Sequence, residues 1–144
     1  MKVLVNNRKA FFDYSIEDEL MAGISLSGAE VKSVKNSAVS LKGAYISIQN
    51  EEAFLVHAHI TPYRYAGKTE SNPERKRKLL LKKGEIKSLI GKEKGTVIVP
   101  LEIVENNKGL LKLRIGIGRG KKKFDKRESI KKRDVERRIR RGED

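Results

Sequence analysis

The chemistry this chain can do is concentrated in its cations. Residues 118–144 hold thirteen Lys and Arg against six Asp and Glu, about +7 of a formal net charge of +14, and hardly any apolar side chains. Arg119, Lys121, Lys122, Lys126, Arg127, Lys131, Lys132 and Arg133 are the core of this run. So dense a row of cations attracts polyphosphate by releasing condensed counterions, an attraction that does not depend on base sequence. The expected partner is nucleic acid, and the charge pattern does not choose between RNA and DNA. As a bare solubilising tail the run would be unusual, because basic blocks commonly serve as interaction arms.

Other candidate chemistry is sparse. His57 and His59 stand two apart, which on one strand would put both imidazoles on one face. With no Cys in the chain and no carboxylate neighbour evident, surface or groove-facing histidines are the reading and no metal is expected. No Ser or Lys is singled out by an adjacent base, so nucleophilic catalysis has no candidate, and no acidic cluster suggests paired metals. The protein is not expected to be an enzyme or to carry a cofactor. Gly116, Gly118 and Gly120 alternate like a phosphate-cradling loop, but they lead into lysines rather than an apolar helix. A hinge between a folded domain and a basic arm suits them better.

The elements that must position these groups follow from periodicity. The length of 144 residues with 38% hydrophobic content supports one modest core. Absence of Cys, of a signal-type leader and of any apolar run of about 18 residues points to a soluble cytoplasmic protein. Phe12, Tyr14 and Ile16 alternate as in a strand, and 29–35 reads as a short helix with Val31 and Val34 on one side and Lys32 and Lys35 on the other. Ala44, Ile46 and Ile48, then Phe54, Val56, Ala58 and Ile60, describe a hairpin that Pro62 ends. Residues 61–78 read as a long exposed connection, and Leu79, Leu80 and Leu81 as a loop entering a helix at 83–91 that Gly91 or Gly95 stops. The near-continuous apolar stretch 97–104, the turn Asn106, Asn107, Lys108 and Gly109, and the alternation Leu111, Leu113, Ile115 and Ile117 form the clearest hairpin. The expected fold is mainly β: a small closed or nearly closed antiparallel barrel of about six strands, with two or three short helices and a basic tail. Residues 1–120 would be the barrel domain and 121–144 the tail, disordered when free and helical when a polyanion neutralises it.

Several segments in order resemble one family. They are Asn7-Arg8-Lys9-Ala10 with Asp13-Tyr14, Ala22-Gly23-Ile24 followed by Gly28 and Glu30-Val31-Lys32-Ser33, and Ile60-Thr61-Pro62-Tyr63. Arg77-Lys78-Leu79-Leu80-Leu81, the Gly116 stretch ending Gly120-Lys121-Lys122, and Asp125-Lys126-Arg127-Glu128 with Ile130-Lys131 complete the set. The chain resembles the SsrA-binding proteins, the small protein B family, over nearly its whole length.

That resemblance implies an oligonucleotide-binding-like barrel that grips the tRNA-like domain of transfer-messenger RNA. It also implies a C-terminal tail that enters the empty mRNA channel of a stalled ribosome, beside the small-subunit decoding centre, and licenses decoding without a codon. Carried over by motif, Asn7, Arg8, Lys9, Lys32, Lys35, Leu80 and Lys112 would face the RNA, with Arg119, Lys121 and Lys122 extending that surface. Glu30 would orient neighbouring lysines. Asp125, Lys126 and Arg127, with Lys131, Lys132 and Arg133, would belong to the ribosome-acting tail. Phe11 and Phe12 stand where the family commonly has a basic residue and His, and Met21 where it commonly has an acidic residue. A general RNA chaperone or ribosomal protein would use the same charge without preference among structured RNAs, and magnesium-dependent RNA cleavage would mark a nuclease.

Overall fold

A computed structural model describes residues 1–62, 72–91 and 95–121. The tail residues from Lys122 onward, and Tyr63 of the Ile60-Thr61-Pro62-Tyr63 motif, lie outside the described residues.

The chain runs β1 (Lys2–Asn6), α1 (Arg8–Asp13), β2 (Tyr14–Ile24), α2 (Gly28–Lys35), β3 (Val39–Ser40), β4 (Tyr45–Gln49), β5 (Glu52–Val56), β6 (His59–Ile60), β7 (Arg77–Leu80), α3 (Lys83–Ile90), β8 (Thr96–Glu105) and β9 (Leu111–Gly120). Seven strands form one antiparallel sheet in the order β1-β8-β9-β2-β7-β5-β4, and β3 pairs with β6 apart from it. The sheet curls until β4 packs against β8, but among the described residues no ladder joins those two strands. It is the nearly closed barrel expected from the sequence, with more strands than the six anticipated.

The best-formed hairpin is the one the alternation marked. β8 and β9 pair from Thr96↔Arg119 to Glu105↔Leu111, and Leu113, Ile115 and Ile117 point inward. Its turn is locked by the Asn106 side chain, whose Oδ1 accepts from the backbone N–H of Lys108 at 2.9 Å and Leu110 at 3.0 Å. Gly109 supplies the positive φ, 79°, that an L residue takes only with strain. Inside the barrel Leu55, Ile103, Leu113 and Ile115 are 0% exposed, each contributing about 1.5–3 kcal/mol by leaving water.

Four local readings change. Phe12 lies in α1, not in a strand, because Asn7 turns the chain at the end of β1. Its backbone N–H donates to Leu101 O and its Nδ2 to Pro100 O, both at 2.8 Å. Leu79 and Leu80 belong to β7, which bridges β2 and β5. A run with polar neighbours on one side only hides this strand's alternation, in which Leu79 is buried and Leu80 exposed. The strand after the 50–51 turn breaks at His57, whose φ of 64° resets the alternation: Ala53 and Leu55 are buried before it, Ala58 and Ile60 after it, while Phe54 and Val56 face the other way. His57 and His59 therefore do not share a strand face.

The glycines near the end of β9 are the fourth. They lie within the strand rather than in a hinge. A Cβ on Gly118 would come within 2.2 Å of Ser15 O, and one on Gly116 within 2.9 Å of the Leu101 side chain. Glycine is needed there so that β2 and Leu101 can lie flat on β9. A second small cluster, Ala10, Val99 and Leu101 with Tyr14, Ile16 and Val97, seats α1 over this patch.

Candidate nucleic-acid interface

β2 and β9 run together for their whole length, and the expected RNA-facing residues divide between the two ends of the pair. At one end, cross-strand register aligns Leu80 of β7 with Gly23 of β2 and Gly23 with Lys112 of β9. Leu80 is 59% exposed, a large apolar side chain on a sheet surface. A Cβ on Gly23 would stand 3.0 Å from Leu80 Cβ, so glycine here lets the leucine lie across the strand. Met21, Gly23, Lys78, Leu80, Lys82 and Lys112 line a shallow depression of about 620 Å³. Lys112 makes no ion pair among the described residues. Its neighbour Arg114 is held between Glu102 (Nε to Oε1, 3.1 Å) and Glu19 (Nη1 to Oε2, 3.9 Å). Lys35 reaches Glu105 at the same end of the hairpin, Nζ to Oε2 3.4 Å, and Lys32 is exposed on α2.

The other end carries α1. Nine residues of strand, about 30 Å at 3.3 Å each, separate Tyr14 from Gly23. Arg8 and Lys9 are exposed on α1, with Lys9 Nζ 3.9 Å from Asp13 Oδ2. Arg119 donates from Nε to Glu17 Oε1 at 3.1 Å, and Lys121 N–H donates to Asp13 O at 2.8 Å. The chain thus leaves the barrel beside α1 with cations on both sides. Asn7 is 7% exposed and committed to the β8 backbone, so it is a structural pin beneath this surface.

Glu30 is the largest change from expectation: it faces arginines, not the neighbouring lysines. It closes a capping box on α2, its Oε1 accepting from Ser27 N–H at 2.9 Å while Ser27 Oγ accepts from Glu30 N–H at 3.2 Å. Such reciprocal bonds satisfy two N–H groups that a helix start leaves unpaired. Oε1 also takes a hydrogen bond from Arg75 Nη2. Oε2 accepts from Arg77 Nε at 2.8 Å, and Arg77 donates further to Ala58 O and Pro73 O, each at 2.8 Å. Arg77 is 0% exposed. Burial opposes the Glu30 carboxylate, but the bonds from Arg75, Ser27 and Arg77 outweigh it and hold its pKa below the ordinary 4.5. Burial pushes the Arg77 guanidinium down, against the pull of Glu30.

Sequence reasoning missed Arg75, Arg77 and Gly23 as parts of the site's support. Arg77 and Gly23 stand inside motifs that were singled out, but nothing in the sequence separates a buried arginine from a solvated one. Among the described residues no group of three His, Cys, Asp or Glu is placed to hold a metal; His57 lies against the Tyr45 ring and His59 Nδ1 is 3.7 Å from Glu74. No described helix is long and apolar enough to cross a membrane.

A family model described as "SmpB protein" matches residues 4–143. The chain belongs to the SmpB family. The SsrA-binding protein of Thermosipho melanesiensis is 48% identical over 142 residues, covering 97% of each chain. That of Acetivibrio thermocellus is 48% identical over 96% of this chain and 90% of its own. A solved SmpB-family chain, from work described as "tmRNA-SmpB: a journey to the center of the bacterial ribosome", superposes with a TM-score of 0.69 at 38% identity, covering 88% of this chain and 93% of that one. The likeness spans both ends of the β2–β9 pair and continues through the basic run.

Proposed function

We propose that this SmpB-family chain is a non-catalytic RNA adaptor of trans-translation that binds the tRNA-like domain of transfer-messenger RNA and brings it to stalled ribosomes. The observation that carries the reading is the exposed Leu80 lying over Gly23 beside Lys112. An apolar side chain kept at a sheet surface by a glycine, next to a cation without an ion pair among the described residues, suits packing on a folded RNA's sugar and base surfaces with phosphate contact alongside. The similarity over 97% of the chain to an SsrA-binding protein, and over 88% to a solved chain from work on tmRNA-SmpB and the bacterial ribosome, supports it.

In this reading the two ends of β2 and β9 do different work. Leu80, Lys112, Lys35 and Lys32 meet the RNA, while Arg8, Lys9, Arg119 and Lys121 surround the start of the tail. Glu30 acts from within, fixing Arg75 and Arg77. The tail, with Asp125, Lys126, Arg127, Lys131, Lys132 and Arg133, occupies the empty mRNA channel, becomes helical against ribosomal RNA, and licenses decoding without a codon. Replacing Lys126 and Arg127 by Ala then leaves affinity for the tRNA-like domain nearly intact and abolishes peptide tagging on stalled ribosomes. Parallel loss of both would contradict the division of labour.

A further inference from the structure

Lys112 and Arg114 stand side by side on the outer face of β9, in rows about 6.6 Å apart at 3.3 Å per residue. Lys112 shares its row with Gly23 and, through it, with Leu80. Arg114 shares its row with Met21 of β2 and Glu102 of β8. Its Nε lies 3.1 Å from Glu102 Oε1, and its Nη1 lies 3.9 Å from Oε2 of Glu19, two residues before Met21 on β2. One guanidinium between two carboxylates leaves this patch net negative. We propose that Glu102, with Glu19, sets the specificity of the RNA surface by position: the two carboxylates withhold Arg114 from phosphate and end the contact at the Lys112 row. The inference rests on the reading of Leu80 and Lys112 as that surface.

Most surface ion pairs would not serve. Lys78 and Glu52, 3.4 Å apart with both side chains about half exposed, form a pair worth at most about 1 kcal/mol, which an arriving phosphate displaces. The Glu102 side chain is only 13% exposed. Solvent screens its attraction for Arg114 less, and parting the two would leave a largely desolvated carboxylate without its partner. A phosphate at Arg114 also comes within a Debye length, about 8 Å, of two like charges, and such juxtaposition is how an interface rejects wrong partners. The partners rejected here are RNAs held by charge alone. A folded RNA fitted over Leu80 has its phosphates where that fit places them, whereas a plain duplex slides until it meets the most cations. Two adjacent free cations on β9 would reward sliding, and one does not.

Glu19→Gln/Glu102→Gln in the full chain frees Arg114 while keeping the shape of both side chains. Its slope of log affinity on log salt for a plain RNA duplex should steepen by about 0.9, one more phosphate neutralised. The gain over wild type is then about 3.5-fold larger at 50 mM than at 200 mM salt. The slope for the tRNA-like domain should not change, and the preference for it should shrink. Adding Arg114→Ala should abolish the duplex gain. Glu102→Arg/Arg114→Glu, which reverses the pair at constant net charge, should keep wild-type slope and preference.

An unchanged duplex slope in the Gln variant, or equal steepening for both RNAs, would overturn the proposal. So would a gain that survives Arg114→Ala, which makes it an effect of overall charge. A reversed pair that loses affinity as Lys112→Ala does would put Arg114 on the RNA and overturn it too. A wild-type protein with no preference for the tRNA-like domain would instead fail the proposed function, and the duplex slopes would still decide the role of Glu102.

Discussion

Replacing Arg77 by Met tests how the fold holds its loop and its functional surface in register. The substitution keeps a long apolar stem but removes the pair of donors on Glu30 Oε2, Nε at 2.8 Å and Nη2 at 2.7 Å. It also strips the 2.8 Å donors from Ala58 O and Pro73 O. Pro73 O keeps the Ile60 N–H at 3.0 Å, leaving the Ala58 carbonyl as the orphan, at about 1–3 kcal/mol. Breaking a buried pair from one side costs about 3–5 kcal/mol in all; Arg75 and the Ser27 N–H, still bound to Glu30, hold the loss within that range. In a domain of this size, about 3–4 °C per kcal/mol predicts a thermal midpoint lower by roughly 10–20 °C. Urea unfolding of wild type, Arg77→Met, Glu30→Gln and the double variant should show an unchanged m-value. It should also show a double-variant loss smaller than the sum by at least about 1 kcal/mol, since the partners are coupled. An Arg77→Met loss under about 1 kcal/mol, or strict additivity, would refute the reasoning.

Gly118→Ala should destabilise by about 3 kcal/mol, the upper part of the overpacking range, because its Cβ meets Ser15 backbone at 2.2 Å. Gly120→Ala, with nothing within 4 Å, should stay within about 0.5 kcal/mol, and equal melting temperatures for the two would contradict the packing account. Glu30 has a folded pKa below its unfolded value, so its contribution is fully present above the unfolded value of about 4.5 and is lost as pH falls through the lower folded value. Unfolding free energy measured from pH 7 downward should therefore drop more steeply below about pH 5 in wild type than in Glu30→Gln. Identical slopes would mean the carboxylate is not held as described.

What the sequence disclosed followed how local the cause was. The β8–β9 hairpin, α2 and α3 were legible because period and turn residues act within a few positions. The phase of β5 and β6 was not, because it hangs on the backbone of His57 alone. α1 was hidden because Phe12, Tyr14 and Ile16 mimic a strand, and only the Asn7 bonds to Pro100 and Leu101, 93 residues away for the first, turn the chain into a helix. The candidate surface divided likewise. The cations could be counted from composition, and the alternation of β9 turns Lys112 outward, but Leu80 came forward only through the family resemblance, since its meeting with Lys112 over Gly23 depends on three strands distant in sequence. Glu30 was singled out but given the wrong partners, because Arg75 and Arg77 reach it across more than forty residues.

The most direct test of the central claim measures binding to the tRNA-like domain of transfer-messenger RNA across a salt series, with ordinary tRNA as competitor. The full chain, a version ending at Lys121 and full-length Lys112→Ala should be compared. The account predicts selective binding that survives tail removal and moderate salt. It also predicts a Lys112→Ala slope of log affinity on log salt shallower by about 1, because one phosphate fewer is neutralised. Binding that vanishes with the tail, shows no preference over ordinary tRNA and is indifferent to Lys112 would contradict it.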